Sequence, residues 1–192
     1  MSTVFDLFAD RYDEWYEKNI ELYKRELETV EKPRGLSLEI GVGTGRFASP
    51  LGIDIGIDIS VKALNIARRR GVEVLRADAK SLPFKDSIFD YVYVIFTLCF
   101  LDNPIESLKE TYRVLKDSGF LIVCIIPRNS GLGERYAKRR DSPFYSIARF
   151  YTESEVFEML DSCGFKVVEV KKTMLLYSYN DFICIKAVKK GL

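Results

Sequence analysis

Three glycines at alternate positions, Gly41, Gly43 and Gly45, stand directly behind the apolar stretch Leu36-Ser37-Leu38-Glu39-Ile40. Glycines placed there let the chain turn sharply and let a ligand lie against bare backbone. A dinucleotide fingerprint needs a further glycine where this chain has Arg46, and no Gly-Lys-Ser/Thr follows to cradle a triphosphate. Glu39 sits near the carboxyl end of the apolar stretch, where open α/β sheets bind ligands. An acid there repels a pyrophosphate and suits an ammonium or sulfonium group, directly or through water. The loop is therefore shaped for a nucleoside-like ligand carrying positive charge.

Two acids follow in "LGIDIGIDIS", Asp54 and Asp58, and period alone does not choose between them because both point to one side of a strand. Position does choose. Asp58 lies 17 residues after Gly41 and two before Ser60, a helix cap, in rough accord with the ribose-binding acid of nucleotide-binding βαβ units. Asp54 falls at the entrance of the strand, on the opposite edge of the sheet.

Some chemistry is missing. The 192 residues include no His, which removes the usual neutral-pH general base and disfavours His-containing metal sites. Cys99, Cys124, Cys163 and Cys184 show no C-x-x-C pairing, so they read as buried small hydrophobes of a reducing compartment, with neither a zinc site nor a disulfide framework. Twenty-nine basic against 28 acidic residues leave a net charge of +1, with no global field for nucleic acid or anionic membrane. No apolar run approaches the roughly 20 residues that span a bilayer. The expectation is a cytoplasmic protein without a metal.

The elements that must position these residues alternate from residue 36 onward. Short apolar runs at 36–41, 55–59, 72–77, 89–96, 119–126, 166–172 and 181–188 read as seven strands, with helical patterns between them, the signature of a mostly parallel sheet covered by helices. Ser60 caps a helix that stops at Gly71; Asn103-Pro104 opens another, running through Leu115. Thr152 and Glu155 form a capping box, with Tyr151 and Val156 as its hydrophobic staple. Ahead of the sheet lies an amphipathic arm, residues 1–32, rich in aromatic residues near its start. Residues 128–150 break the alternation as an insertion. There Arg128, Arg135, Lys138, Arg139, Arg140 and Arg149 stand against Glu134 and Asp141, a local net charge of +4 that reads first as a solvated surface. One domain over residues 1–192 accounts for the whole pattern.

Five segments in order, "FADRYDEWY", "LEIGVGTGRF", "GIDIS", "RADAKSLPFKDSIFDYVYV" and "ESLKETYRVLKDSGFLIV", make the chain similar to the class I S-adenosylmethionine-dependent methyltransferases. The resemblance is to their small-molecule branch, which includes the ubiquinone/menaquinone-biosynthesis enzymes, and covers about residues 5–127 closely. It implies a Rossmann-like three-layer sandwich with seven strands in the order 3-2-1-4-5-7-6, one of them antiparallel. It also implies S-adenosyl-L-methionine as cofactor. By the same resemblance the candidate cofactor residues are Glu39, Gly41, Gly43, Gly45, Asp58 on the ribose hydroxyls, Asp78 and Ala79 on adenine, Ile59 and Leu82 on the faces of the ring, and Tyr12 and Trp15 from the arm.

The acceptor is less legible. Many small-molecule members carry histidines just after the fourth strand, where this chain has Cys99 and Phe100, and the N/D-P-P-Y/F motif of base- and amide-methylating members is replaced by Ile95-Phe96-Thr97-Leu98. The expectation is a small organic acceptor rather than nucleic acid. Tyr16, Thr97, Cys99, Arg149 and Tyr151 are candidate pocket residues, with core packing the competing reading for Cys99. A cofactor-binding regulatory protein without catalysis, and methylation of protein or RNA, are the alternatives.

Overall fold

The computed structural model describes residues 4–191; the first three residues of the expected arm lie outside that range. Two helices form the arm, α1 (Val4–Lys18) and α2 (Ile20–Thr29), before β1 (Ser37–Ile40) enters the sheet. The chain continues through α3 (Ala48–Leu51), β2 (Ile55–Asp58), α4 (Val61–Arg69), β3 (Glu73–Arg76) and β4 (Phe89–Ile95). It then runs through α5 (Pro104–Val114), β5 (Leu115–Ile125), α6 (Gly131–Lys138), α7 (Glu153–Ser162), β6 (Phe165–Thr173) and β7 (Phe182–Lys189). The strands form one sheet in the order β3-β2-β1-β4-β5-β7-β6, as expected. The first five pair in parallel, and β7 runs antiparallel between β5 and β6.

The strands alternate their side chains between two cores. Leu38, Ile40, Val92, Val94, Leu121 and Val123 pack with Leu108 of α5 and with Val156 and Leu160 of α7 on one face. On the other, Tyr91, Tyr93, Ile95 and Ile122 pack with Tyr23 of α2 and with Leu64 and Ala67 of α4. Such two-sided burial makes parallel strands read as near-continuous apolar runs. The caps form as the sequence implies. Ser60 Oγ accepts from the Ala63 amide at 3.2 Å, and Asn103 Oδ1 from that of Glu106 at 3.2 Å. Thr152 and Glu155 exchange both capping-box bonds, at 2.7 and 3.2 Å.

Two expectations need correction. The fifth strand begins at Leu115 rather than 119, because α5 stops at Val114 and Leu115 already pairs with Phe89 before an irregularity resets the register to Tyr91 with Phe120. Cys124 and Cys184 are not free thiols. They are register partners on β5 and β7 and are joined as a disulfide. Sixty residues separate them in the chain, so only the antiparallel pairing reveals that they meet. Cys99 and Cys163 are free. Among the described residues no helix is long and apolar enough to cross a membrane, and no group of three or more His, Cys, Asp or Glu could hold a metal ion.

Candidate active site

A cavity of about 870 Å³, counting the solvent at its mouth, opens at the carboxyl edge of the sheet. Its walls come from the ends of four adjacent strands and the turns behind them: Gly41 and Gly43 after β1, Asp58 and Ile59 at β2, Asp78 and Ala79 past β3, and Phe96 and Thr97 past β4. Asp58 is fixed by two backbone donors. Its Oδ2 accepts from the Gly43 amide at 2.9 Å and its Oδ1 from the Ser60 amide at 2.8 Å. Burial pushes its carboxyl above the ordinary value, and the amides of Ser60 and Gly43 partly offset this. Asp54, at the other end of β2, accepts instead from the Ser37 amide and hydroxyl at 2.9 and 2.7 Å, and so ties β1 to β2 away from the cavity.

Glu39 lies beneath the glycine loop, 2% exposed, and its Oε2 has no hydrogen-bond partner. Burial, with the nearby Asp58 charge adding to it, pushes its carboxyl well above the ordinary value, while the Ala48 amide pulls it back. The three glycines divide their work. A Cβ at Gly43 would meet only Tyr12 Cε1, at 3.9 Å, so this position leaves the loop open beside the cavity. Gly45 does not line the cavity. Its Cβ would come within 3.1 Å of Ala67 Cα, so it seats the loop on α4.

Other expected residues are placed differently as well. Leu82 is not in the cavity wall: it is 4% exposed inside the core under α5, and Leu101 faces the cavity in its stead. Trp15, expected beside the cofactor, lines a second cavity, of about 1,060 Å³ counting the solvent at its mouth, together with the expected pocket residues Tyr16, Cys99 and Tyr151. Arg149 lines neither. Its amide donates to Cys99 O at 2.8 Å and its guanidinium lies 5.4 Å over the Tyr151 ring, beside a shallow groove. Tyr12, Phe96 and Phe100 line both cavities and so form the partition between them. Phe96 holds a left-handed backbone, φ +54°, anchored by its amide on Cys124 O at 2.9 Å. Such a conformation costs a side-chain-bearing residue about 1–3 kcal/mol and is kept only where surroundings enforce it.

The second cavity contains residues that sequence reasoning missed: Glu26 of α2, Tyr136 of α6, and Phe144, Tyr145 and Phe150. One signal for Glu26 was available. On α2 the buried stripe runs Tyr23, Glu26, Thr29, which places an acid where an amphipathic helix expects an apolar residue. Cys99 is a thiol at neutral pH, because burial pushes it up to about 12. Its Sγ donates to Phe96 O at 3.4 Å.

The arm is fastened to the glycine loop by a knot of charges. Arg46, which spoils the dinucleotide fingerprint, donates through Nε and Nη2 to Asp13 at 2.8 and 2.7 Å, and Arg70 adds a third bond at 2.7 Å. Tyr23 donates to the Arg46 carbonyl, and the Arg46 guanidinium lies over the rings of Tyr16 and Tyr23. Burial alone would raise the Asp13 carboxyl, but Arg46 and Arg70 outweigh it and hold it at about 2. The folded-state value is depressed, so the stabilisation is complete above the unfolded value near 4 and is lost as pH falls toward 2. Asp13→Asn is expected to cost about 1–2 kcal/mol at pH 7 after screening, a cost that shrinks steadily as pH falls through about 2. Urea unfolding across that range measures it.

The sheet order, the glycine loop and the carboxylate at the end of β2 together define a Rossmann-like α/β enzyme with a cavity at the carboxyl edge of its sheet. A family model described as methyltransferase domain matches residues 38–123. The chain is 44% identical to an uncharacterized protein of Methanocaldococcus jannaschii, over 98% of this chain and 92% of that one. It is 40% identical to a Thermotoga maritima protein of solved structure, described as a SAM-dependent methyltransferase and possible histamine N-methyltransferase, over 97% of this chain and 99% of that one, with a TM-score of 0.89. It is 34% identical to a ubiquinone/menaquinone biosynthesis C-methyltransferase of Coxiella burnetii over 101 residues, 45% of this chain and 40% of that one. The chain belongs to the class I S-adenosylmethionine-dependent methyltransferases. Its cofactor is S-adenosyl-L-methionine, and the site has features that fit it: a glycine loop open at Gly43 and a carboxylate held at the end of β2, with an unpartnered buried carboxylate oxygen on Glu39 behind the cavity wall, which Glu39 does not itself line.

Proposed function

We propose that this methyltransferase acts on a small organic acceptor held in the second cavity. One observation carries the reading: the nucleoside pocket and an aromatic-lined cavity share Tyr12, Phe96 and Phe100 as their common wall. In this reading Asp58 accepts both ribose hydroxyls, Asp78 and the Ala79 amide take the adenine edge, and Ile59 packs on the ring. Leu101 takes the place first given to Leu82. The Glu39 carboxylate faces the positive end of the cofactor, directly or through water. Gly41, Gly43 and Thr97 shape the floor, and Gly45 keeps it seated.

When bound, S-adenosylmethionine supplies a methyl group activated by its sulfonium. The protein's contribution is to align an acceptor atom with that methyl and to exclude water, and such positioning supplies much of the acceleration in displacement reactions. Tyr12, Tyr16 and Trp15 close the acceptor side from the arm, and Tyr151 and Cys99 close it from the sheet.

Four of the six cations of the insertion are engaged within the chain, which does not favour a nucleic-acid acceptor. Arg128 pairs with Glu155 at 2.9 Å, Arg135 lies over Tyr177, Arg139 pairs with Asp141 at 3.3 Å, and Arg149 covers Tyr151. Protein incubated with methyl-labelled S-adenosylmethionine and a cell extract should move label into a new species below 1 kDa that is chromatographically distinct from S-adenosylmethionine and depends on the protein. Label confined to protein or RNA would overturn the small-acceptor reading.

A further inference from the structure

The second cavity contains an acid to which neither cofactor binding nor alignment of the acceptor gives a task. Glu26 lines it at 1% exposure, and its Oε2 has no hydrogen-bond partner. An unpaired buried carboxylate is costly, and proteins retain one where a ligand completes it. Burial pushes its carboxyl up to about 8, with no cation close enough to draw it back.

Its neighbours have little to offer it. On α1, the Tyr12 and Tyr16 hydroxyls bond to each other at 2.8 Å. Tyr136 of α6 and Tyr145 stack on one another with centroids 4.2 Å apart, and burial keeps both phenols protonated, as it does Tyr151 and the Cys99 thiol. The two guanidinium groups of the cavity belong to exposed residues: Arg11, and Arg139, which is engaged by Asp141 and lies over the Tyr145 ring. The cavity thus presents aromatic surfaces and one unsatisfied acid. Aromatic faces attract cations, and so does a carboxylate.

We propose that the acceptor is an amine that enters as its ammonium ion, anchors on Glu26 against the aromatic walls, and gives Glu26 the proton that blocks its nitrogen lone pair. This rests on the small-acceptor reading and names its substrate class. An N–H bond breaks and its proton passes to the carboxylate, leaving a neutral amine and a neutral acid. The freed lone pair then forms the C–N bond as the methyl–sulfur bond breaks, its electron pair staying on sulfur. Positive charge moves from the sulfonium to the methylated ammonium product, still among the aromatic rings. Glu26 returns its proton to solvent after product leaves.

Three isosteric probes test the assignment by calorimetry at pH 8.5 on protein loaded with S-adenosylhomocysteine: 2-phenylethylamine, 2-phenylethanol and phenylacetate. The amine should bind at least tenfold more tightly than the alcohol. Glu26→Gln should bring the two within twofold of each other and leave S-adenosylhomocysteine affinity unchanged. Methyl transfer to the amine should show kcat/KM rising with pH through about 8, and Glu26→Gln should lose that rise and at least 100-fold in rate. The carbon-13 resonance of the Glu26 carboxyl in the wild type gives a readout that does not depend on the variant folding: its midpoint should fall when the amine is added. An unmoved midpoint, a preference for the alcohol or the carboxylate, or a preference that survives Glu26→Gln would overturn the amine assignment while a small acceptor stands. Binding of none of the probes, together with label confined to macromolecules, would remove both readings.

Discussion

Asp58→Ala is expected to weaken binding of S-adenosylmethionine and of its demethylated product by about a hundredfold or more, whereas Asp54→Ala stays within twofold of the wild type. Hydrogen bonds to a charged group contribute about 1.5–3 kcal/mol each, so losing two from a buried carboxylate amounts to about 3 kcal/mol or more. The neighbouring acid is the control. Asp54 sits four residues away on the same strand, yet it serves the Ser37 amide and hydroxyl at the amino end of β2, so its loss affects stability rather than affinity. Asp58 also pins the amides of Gly43 and Ser60, so Asp58→Asn, which keeps one acceptor, should retain more of the fold and still lose most of the affinity. Calorimetry gives the affinities and ligand-free thermal unfolding gives the structural share. An equal loss of affinity in the Asp54 and Asp58 variants would overturn the assignment.

Gly41→Ala is expected to be the most damaging single-methyl change in the loop. Its φ is +72°, and an alanine Cβ there would lie 2.3 Å from both Oγ1 and Cγ2 of Thr97. Thr97 has no cheap way to withdraw, because its hydroxyl donates to Gly41 O at 3.2 Å and Ile95 O at 3.0 Å. The left-handed conformation contributes about 1–2 kcal/mol and the overpacking about 1–3 kcal/mol, which together lower Tm by about 10 °C in a chain of this size. Gly52→Ala separates the two causes. Gly52 has a similar φ, +74°, with nothing within 4 Å of its would-be Cβ, so it should carry only the conformational share. Adding Thr97→Ala to Gly41→Ala should restore part of the steric share and none of the other.

The sheet and most of the residues that line the first cavity were legible in the sequence because both depend on short-range pattern. Parallel strands buried on two faces announce themselves as apolar runs, and Ser60, Asn103 and Thr152 mark helix starts by local chemistry. Gly41, Gly43, Asp58, Ile59, Asp78 and Ala79 all fall at strand ends, so placing the strands places them. Leu82, expected against the ring, lies in the core instead, because how far the chain between β3 and β4 turns inward is set by no local rule. The second cavity is assembled from α1, α2, α6 and residues 142–151, segments far apart in the chain, and its acid is visible only as an irregularity in one helical stripe. Cys124 and Cys184 meet for the same kind of reason, a register between distant strands.

That cross-link closes a covalent ring. Everything between Cys124 and Cys184, including α6, the aromatic residues at 136–151, α7 and β6, is a closed loop joined covalently where β5 and β7 pair. In the chain-entropy account a ring of this length confines the unfolded state by about 4 kcal/mol. Its placement matters as much as its size: the segment that lines the second cavity opposite the arm is closed on itself where β5 and β7 pair. Insertions or exchanges inside the ring can therefore reshape what the cavity accepts without loosening β1, β2 and the glycine loop, whose residues all lie outside it.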